Sequence, residues 1–263
     1  MSNRRFQAEL AAARAALAPA LTRRGGLCVL TGAGMSAESG IATFRDALTG
    51  YWSQFDPMAL ASEEGFRAAP ERVSSWYAER REGVRAAQPN AGHLALADLA
   101  RHHPGVLTLV TQNVDDLHQR AGNTDALQLH GDILHDHWLD ACPRHARGGN
   151  VCDPDWALAG TPPTCGECGN RLRPGVVWFG ESLPLRAVNA AEQAASQCAV
   201  MLVVGTSGAV WPAAGLAGRA RRSGAQVIIV NPAESEIDSE AHQVLRGTAA
   251  AVLPALLADE ARG

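Results

Sequence analysis

Four groups of residues have the types and spacing to do chemistry. The first is a cysteine cluster: Cys142, Cys152, Cys165 and Cys168 crowd between positions 142 and 168, leaving only Cys28 and Cys198 elsewhere, in or beside apolar runs. Cys165-Gly166-Glu167-Cys168 has the C-x-x-C spacing of half a zinc site, while Cys142-Pro143-Arg144-His145 offers C-x-x-H ahead of Cys152. A cluster without signs of secretion points to metal before disulfides. The ligand set stays open here between Cys152 and His145; His135 and His137 lie too near His130 to be chosen. A closed shell of this kind would be structural, with no position left for substrate.

The second group is a glycine loop. Leu27-Cys28-Val29-Leu30-Thr31 is followed by Gly32-Ala33-Gly34-Met35-Ser36-Ala37, a G-x-G-x-x-A turn after a strand and before an expected helix start. Such glycines admit a pyrophosphate close to the backbone, and helix N–H groups then face the anion. A tight turn with no ligand has the same signature. A standard dehydrogenase would place an acid at the end of a second strand about 20 residues on, but Gly50-Tyr51-Trp52-Ser53-Gln54-Phe55-Asp56 is no buried strand. The loop suggests a nucleotide and argues against that enzyme class. The third group is a single imidazole, His130, which closes an apolar run and precedes Gly131; a group titrating near neutrality suits a general base. The fourth is Tyr77 with Arg80, three apart in a helical patch and so on one face. A hydroxyl beside a guanidinium suits a carboxylate. Arg80 could equally be one of several solvated arginines with Arg72, Arg81 and Arg85.

The elements that must position these groups read as α/β. Strand-length apolar runs occur at Leu27–Thr31, Val106–Gln112, Ala126–His130, Met201–Gly205 and Gln226–Asn231, with helical stretches at Asn90–His102, Leu185–Gln197 and Trp211–Ser223. Buried strands alternating with helices predict a Rossmann-like parallel sheet with helices on both faces, and ligands at its strand ends. Two segments break the rhythm: a helical insert over 46–89 and a Gly/Pro/Cys-rich stretch over 136–174. The expected organisation is therefore a nucleotide-binding domain over 1–135 and 175–263, interrupted by the helical insert, and a small zinc-binding module over 136–174. Residues 1–24 read as an amphipathic helix rather than a signal peptide.

The bulk properties exclude some partners. Net charge is −4 over 263 residues, and all 23 basic residues are Arg, so no general electrostatic attraction to nucleic acid or an anionic membrane is expected. No apolar run reaches about 18 residues, the length needed to span a bilayer. Cytoplasmic location is the expectation, and oligomeric state is not readable.

Further motifs extend the picture. The glycine loop runs on through Glu38-Ser39-Gly40-Ile41-Ala42-Thr43-Phe44-Arg45. Then come Thr111-Gln112-Asn113-Val114-Asp115 with Leu117-His118, Leu129-His130-Gly131, Pro174-Gly175-Val176-Val177-Trp178-Phe179-Gly180-Glu181, Gly205-Thr206-Ser207 and Asn231-Pro232. In this order the set closely resembles the sirtuin family, from about Leu27 to the C-terminus. The resemblance implies an NAD-consuming protein lysine deacylase with His130 as catalytic base, releasing nicotinamide and O-acyl-ADP-ribose. It implies that Gly32, Ala33, Gly34 and Glu38 shape the pyrophosphate loop, and that Phe44 and Arg45 close over the ribose. Gln112, Asn113 and Asp115 would line the nicotinamide and ribose pocket, and Gly205, Thr206, Ser207, Asn231 and Ala249 would hold the adenosine half. Val177, Phe179 and Gly180 would pair with the substrate peptide as an added strand. A zinc site of four thiolates, Cys142, Cys152, Cys165 and Cys168, follows from the same resemblance. Tyr77-x-x-Arg80 resembles the signature of members that remove succinyl and malonyl groups. Ala42 stands where the family usually has Pro, which bears on loop stiffness. Acylated protein lysines are the implied partner. The rival readings are an NAD-dependent protein ADP-ribosyltransferase, which has no need of Tyr77 and Arg80, and a non-catalytic NAD-binding module, which has no need of His130.

Overall fold

Six short strands form one wholly parallel sheet: β1 (Leu27–Thr31), β2 (Leu107–Thr111), β3 (Leu127–Gln128), β8 (Val200–Val204), β9 (Gln226–Val230) and β10 (Gln243–Leu245), in the order β10-β9-β8-β1-β2-β3. The computed structural model describes residues 3–41, 53–142 and 152–258. The central strands are nearly continuous Val, Ile and Leu because both faces are covered. Leu27 and Val29 face a core with α1 (Asn3–Leu17), α5 (Ala91–His102) and α9 (Ala249–Leu257). Cys28 and Leu30, the alternate residues, face a second core with α7 (Leu185–Gln197) and α8 (Gly215–Arg222). That two-residue alternation pins the register, since a slip of one residue would swap every side chain between the two cores.

These elements make up one compact unit, Met1–Thr43 with Ala87–His130 and Leu183–Gly263; it also holds α6 (Leu117–Ala121). The second unit joins Phe44–Ala86 to Gly131–Ser182. It contains helices α2 (Pro57–Leu60), α3 (Glu63–Ala68) and α4 (Pro70–Ala86), an antiparallel pair β4 (Gly131–Trp138) and β7 (Leu172–Val176), and a small pair β5 (Ala157–Leu158) and β6 (Thr164–Cys165). The helical insert and the cysteine segment thus share one unit, which is wider than a module over 136–174. Helix starts follow ordinary capping chemistry: the Asp56 carboxylate accepts from Met58 N–H, and the Ser62 hydroxyl accepts from Gly65 N–H at 3.0 Å. The pair β4/β7 is not a sequence expectation. β4 is GDILHDHW, with one fully buried side chain, Ile133, and β7 is LRPGV, carrying both Pro and Gly. Neither shows the apolar alternation that signals a strand.

Candidate active site

The loops at the carboxyl ends of β1, β2, β8 and β9 carry the residues that the sequence predicts for a nucleotide. Chain direction across the sheet reverses between β1 and β8: β2 and β3 lie beyond β1, β9 and β10 beyond β8. This is the switch point where open parallel sheets bind ligands. The two loops there touch backbone to backbone. Gly34 N–H donates to Gly205 O at 2.8 Å, and a Cβ on Gly34 would sit 2.7 Å from Gly205 Cα. Gly205 itself has φ +62°, and a Cβ there would lie 2.5 Å from Met35 N. Glycine at 34 and 205 is therefore a packing requirement. The expected helix start is instead two short 3₁₀ turns, Ala33–Met35 and Ala37–Ser39. The Glu38 carboxylate accepts from Ala250 N–H at 2.8 Å, capping the start of α9 beside Ala249 and anchoring the loop. Phe44 and Arg45, with Ala42, lie outside the described residues.

His130 follows β3 and is partly buried. Its Nδ1 lies 2.8 Å from the Gln112 carbonyl oxygen. A carbonyl only accepts, so Nδ1 carries the proton and Nε2 keeps its lone pair. Burial holds the imidazole below its ordinary pKa, with the Gln112 bond opposing in part. The ring is therefore neutral and basic at Nε2 near neutral pH. The Gln112 amide in turn donates to Thr206 Oγ1 at 3.1 Å, and Asn231 Nδ2 donates to Thr206 O at 3.0 Å. Gln112, Thr206 and Asn231 are thus one chain of bonds along three strand ends. Ser207 is exposed, and its carbonyl accepts from Glu236 N–H at 2.9 Å.

Beneath these lies a buried polar network that ties Asn113 and Asp115 to residues for which the sequence predicts no role. Asn113 Nδ2 donates to Ser36 Oγ at 3.0 Å, and Ser36 bonds the Asp115 carboxylate, which also accepts from Leu117 N–H at 3.1 Å. Thr31 and Thr111, paired in register at the ends of β1 and β2, share a 2.8 Å hydroxyl bond, and Thr111 accepts from Asn113 N–H at 3.0 Å. His118 Nε2 reaches Thr31 Oγ1 at 3.1 Å, and its ring lies 4.8 Å from that of His93. His93 completes a capping box with Asn90 at the start of α5, and Asn90 Nδ2 donates to Met35 O and Ser39 Oγ. The readable signals were the matching Thr at two strand ends and the Asn-x-x-His before a helix.

Two of these imidazoles carry a stability consequence. Burial lowers His93 to about 4 and His118 to about 3. In the unfolded chain both protonate near 6.5; the folded state resists until the lower values. Stability is then flat above about pH 6.5 and falls as pH drops toward 4, by about 2 kcal/mol per histidine at pH 5. Asp115, pushed up by burial, works in the opposite sense and offsets part of this. Urea unfolding is expected to show a lower midpoint at pH 5 than at pH 7; an unchanged midpoint would contradict neutral burial of the pair.

In the second unit, Tyr77 and Arg80 lie on α4. Tyr77 is buried and its ring edge meets Trp76 at 4.7 Å; Arg80 lies over Trp76 at 4.7 Å and 5.7 Å from the Tyr77 ring centre. Burial pushes the Tyr77 hydroxyl up and the Arg80 guanidinium down, so the pair stays as hydroxyl and desolvated cation. The other arginines of this helix are differently engaged: Arg81 bonds Ile133 O and the Asp136 carboxylate, and Arg72 lies over Phe55 at 4.8 Å. The run Val176–Glu181 is not a continuous strand. β7 ends at Val176, Glu181 N–H bonds back to Trp178 O at 3.1 Å, and Gly180 has φ +87°. The Phe179 N–H already donates to Ala61 O at 2.9 Å, while its side chain is 51% exposed and Val177 is partly buried.

Three cysteines of the cluster converge. Cys142 Sγ lies 3.8 Å and Cys152 Sγ 3.6 Å from Cys168 Sγ, and all three lie within 4.8 Å of one another. A tetrahedral zinc–thiolate shell has sulfur–sulfur edges of about 3.8 Å, from Zn–S bonds near 2.3 Å. Cys165 hydrogen-bonds Cys152 and Cys168 through its side chain, and Trp138 and Trp156 pack around the group. Asn170 Nδ2 donates to Cys152 Sγ at 3.5 Å, a bond that suits a thiolate. The sulfurs of Cys142, Cys152 and Cys168 have spacings that suit three corners of a zinc shell; His145 lies outside the described residues.

Residues 32–212 match the profile of the Sir2 family. A protein from Ralstonia nicotianae, named NAD-dependent protein deacylase, is 54% identical over 230 residues, covering 88% of this chain and 90% of its own. The chain belongs to the Sir2 family. A second relative of the same name, from Deinococcus radiodurans, is 46% identical to this sirtuin over 259 residues, covering 96% of this chain and 100% of its own. The crystal structure of a Sir2 homologue–NAD complex superposes with a TM-score of 0.79 at 40% identity, covering 94% of this sirtuin and 93% of that chain. A Sir2–p53 peptide–NAD⁺ structure gives 0.76 at 28% identity, covering 94% and 98%. Among the described residues no helix is long and apolar enough to cross a membrane.

Proposed function

We propose that this sirtuin removes succinyl and malonyl groups from protein lysines, accepts acetyl groups less well, and consumes NAD in doing so. NAD-dependent protein deacylation is the activity named for its relatives. The observation that carries the acyl preference is the Tyr77–Arg80 pair, a buried hydroxyl beside a half-buried guanidinium stacked on Trp76. A carboxylate meets both donors; a methyl group accepts from neither.

NAD supplies a sugar carbon made reactive by a leaving group that departs neutral. The residues proposed to hold it are Gly32, Ala33 and Gly34 with Glu38 for the pyrophosphate loop, Gln112, Asn113 and Asp115 for the nicotinamide side, and Gly205, Thr206, Ser207 and Asn231, with Ala249, for the adenosine side; Phe44 and Arg45 belong to the same proposal. His130 takes up a proton at Nε2 from a ribose hydroxyl, and the Gln112 carbonyl holds the resulting imidazolium at Nδ1. Val177 and Gly180 are the proposed peptide contacts, together with the Phe179 side chain. Zinc on Cys142, Cys152, Cys165 and Cys168 is structural. Chelation is expected to melt this part of the chain cooperatively with loss of one zinc per chain by metal analysis; a pure, folded sample without zinc would contradict it. A thiolate cluster suits a reducing compartment, which supports the cytoplasm as its location.

The test is to incubate the protein with NAD and acetyl-, succinyl- and malonyl-peptides while following nicotinamide and peptide mass. Peptide losing its acyl mass in step with nicotinamide is expected. ADP-ribose mass appearing on protein with peptides unchanged would place the enzyme with the ADP-ribosyltransferases instead.

A further inference from the structure

Trp178 was assigned no role by the sequence motifs, yet its ring and its backbone are both held by neighbours. It is 2% exposed, and its indole Nε1–H donates to Tyr77 Oη at 3.0 Å. Phe66 packs on it with ring centres 5.3 Å apart, and its backbone N–H donates to Glu181 Oε2 at 2.7 Å. The Arg173 guanidinium lies 3.4 Å from the indole ring centre. Arg173 is fixed in turn by the Glu181 carboxylate and by the Pro174 and Val176 carbonyls, at 3.2 Å and 2.6 Å. Ring face, ring edge and backbone are all held.

The direction of the Trp178–Tyr77 bond matters. An indole N–H can only donate, whereas a phenol has one hydrogen to give and room to accept. With the indole filling an acceptor position on Tyr77 Oη, the phenolic hydrogen must point elsewhere. Had the neighbour been an acceptor, that hydrogen would be spent on it, and Tyr77 would meet a carboxylate with lone pairs. The Arg173 cation on the indole face draws density from the ring and strengthens the N–H as a donor. That in turn polarises the Tyr77 O–H outward. The two tryptophans therefore divide the work: Trp76 carries the Arg80 guanidinium on its face, and Trp178 sets the polarity of Tyr77.

We propose that Trp178 is a positioning residue for acyl specificity: its indole N–H commits the Tyr77 hydroxyl to donate its hydrogen to the substrate's carboxylate. This rests on the succinyl/malonyl reading above. The experiment compares Trp178→Phe, Tyr77→Phe and the double variant on succinyl- and acetyl-peptides. A second variant replaces only the indole N–H by sulfur, with benzothienylalanine at position 178, and keeps the packing if phenylalanine does not fold. Removing the N–H is expected to raise the succinyl-peptide KM about tenfold with kcat within about twofold. Acetyl-peptide turnover stays within about twofold, and the change adds nothing once Tyr77 is phenylalanine. The proposal is overturned if the KM rise persists undiminished in the Tyr77→Phe background, if succinyl and acetyl turnover fall equally, or if the isostere changes nothing. Arg80→Met separates this from the reading beneath it. A succinyl-selective loss there with no effect of the isostere sinks only the role of Trp178; equal losses on both acyl groups there sink the acyl reading itself.

Discussion

Replacing His130 with alanine is expected to lower acyl-peptide-dependent nicotinamide release by about 10²-fold to 10⁴-fold, the range for losing a positioned general base. Three features of the site argue for an effect this large. The Gln112 carbonyl fixes the tautomer, so the basic nitrogen is Nε2 in every folded molecule. Burial lowers the pKa of the ring, which favours the neutral, basic form at neutral pH. The remaining imidazoles of the network offer no replacement, because His93 and His118 are buried and held at about 4 and about 3. The wild-type rate should fall on acidification through a pKa below 6.5, and that limb should vanish in the variant. His130→Ala deletes one partly buried ring and leaves the Gln112 carbonyl without its donor, a cost of about 1 kcal/mol that the fold can carry. Turnover near wild type in a folded variant would remove His130 from the mechanism.

Replacing Arg80 with methionine is expected to cut kcat/KM for succinyl-peptide by about 100-fold while leaving acetyl-peptide within about threefold. Each hydrogen bond to a charged partner contributes about 1.5–3 kcal/mol when desolvated, and a guanidinium can offer two in parallel. Losing them on a carboxylate that stays ionised costs at least the ~2.7 kcal/mol that a 100-fold change represents. Methionine keeps helix propensity and an apolar stem against Trp76, so α4 should persist. The acetyl group has no carboxylate to present, so it loses no bond when the guanidinium is removed. Equal losses on both peptides would return Arg80 to the class of structural arginines.

What was legible in the sequence and what was not divides along physical lines. The sheet was legible because β1, β8 and β9 are predominantly apolar runs, almost wholly buried, and such runs between turn residues have few alternatives. The strand-end motifs were legible because function needs particular residue types there. β4 and β7 were not, because their stability comes from pairing with each other rather than from apolar pattern; β7 contains a Pro and a Gly that ordinarily argue against a strand. The expected helix after the glycine loop became 3₁₀ turns, with Gly34 spent on packing against Gly205. The buried network of Ser36, His93 and His118 was hidden because each residue alone is an ordinary polar side chain, and only the register of β1 on β2 brings Thr31, Thr111 and their partners together. The bond from Trp178 to Tyr77 joins positions about a hundred residues apart and leaves no local trace.

The most direct test of the whole account is the ratio of kcat/KM for succinyl- and acetyl-lysine forms of one peptide, measured with the unaltered protein and saturating NAD. The account predicts a ratio well above one, about tenfold or more, with nicotinamide released one for one with deacylated peptide. A ratio of one-tenth or less, or nicotinamide release that ignores the peptide, would contradict it.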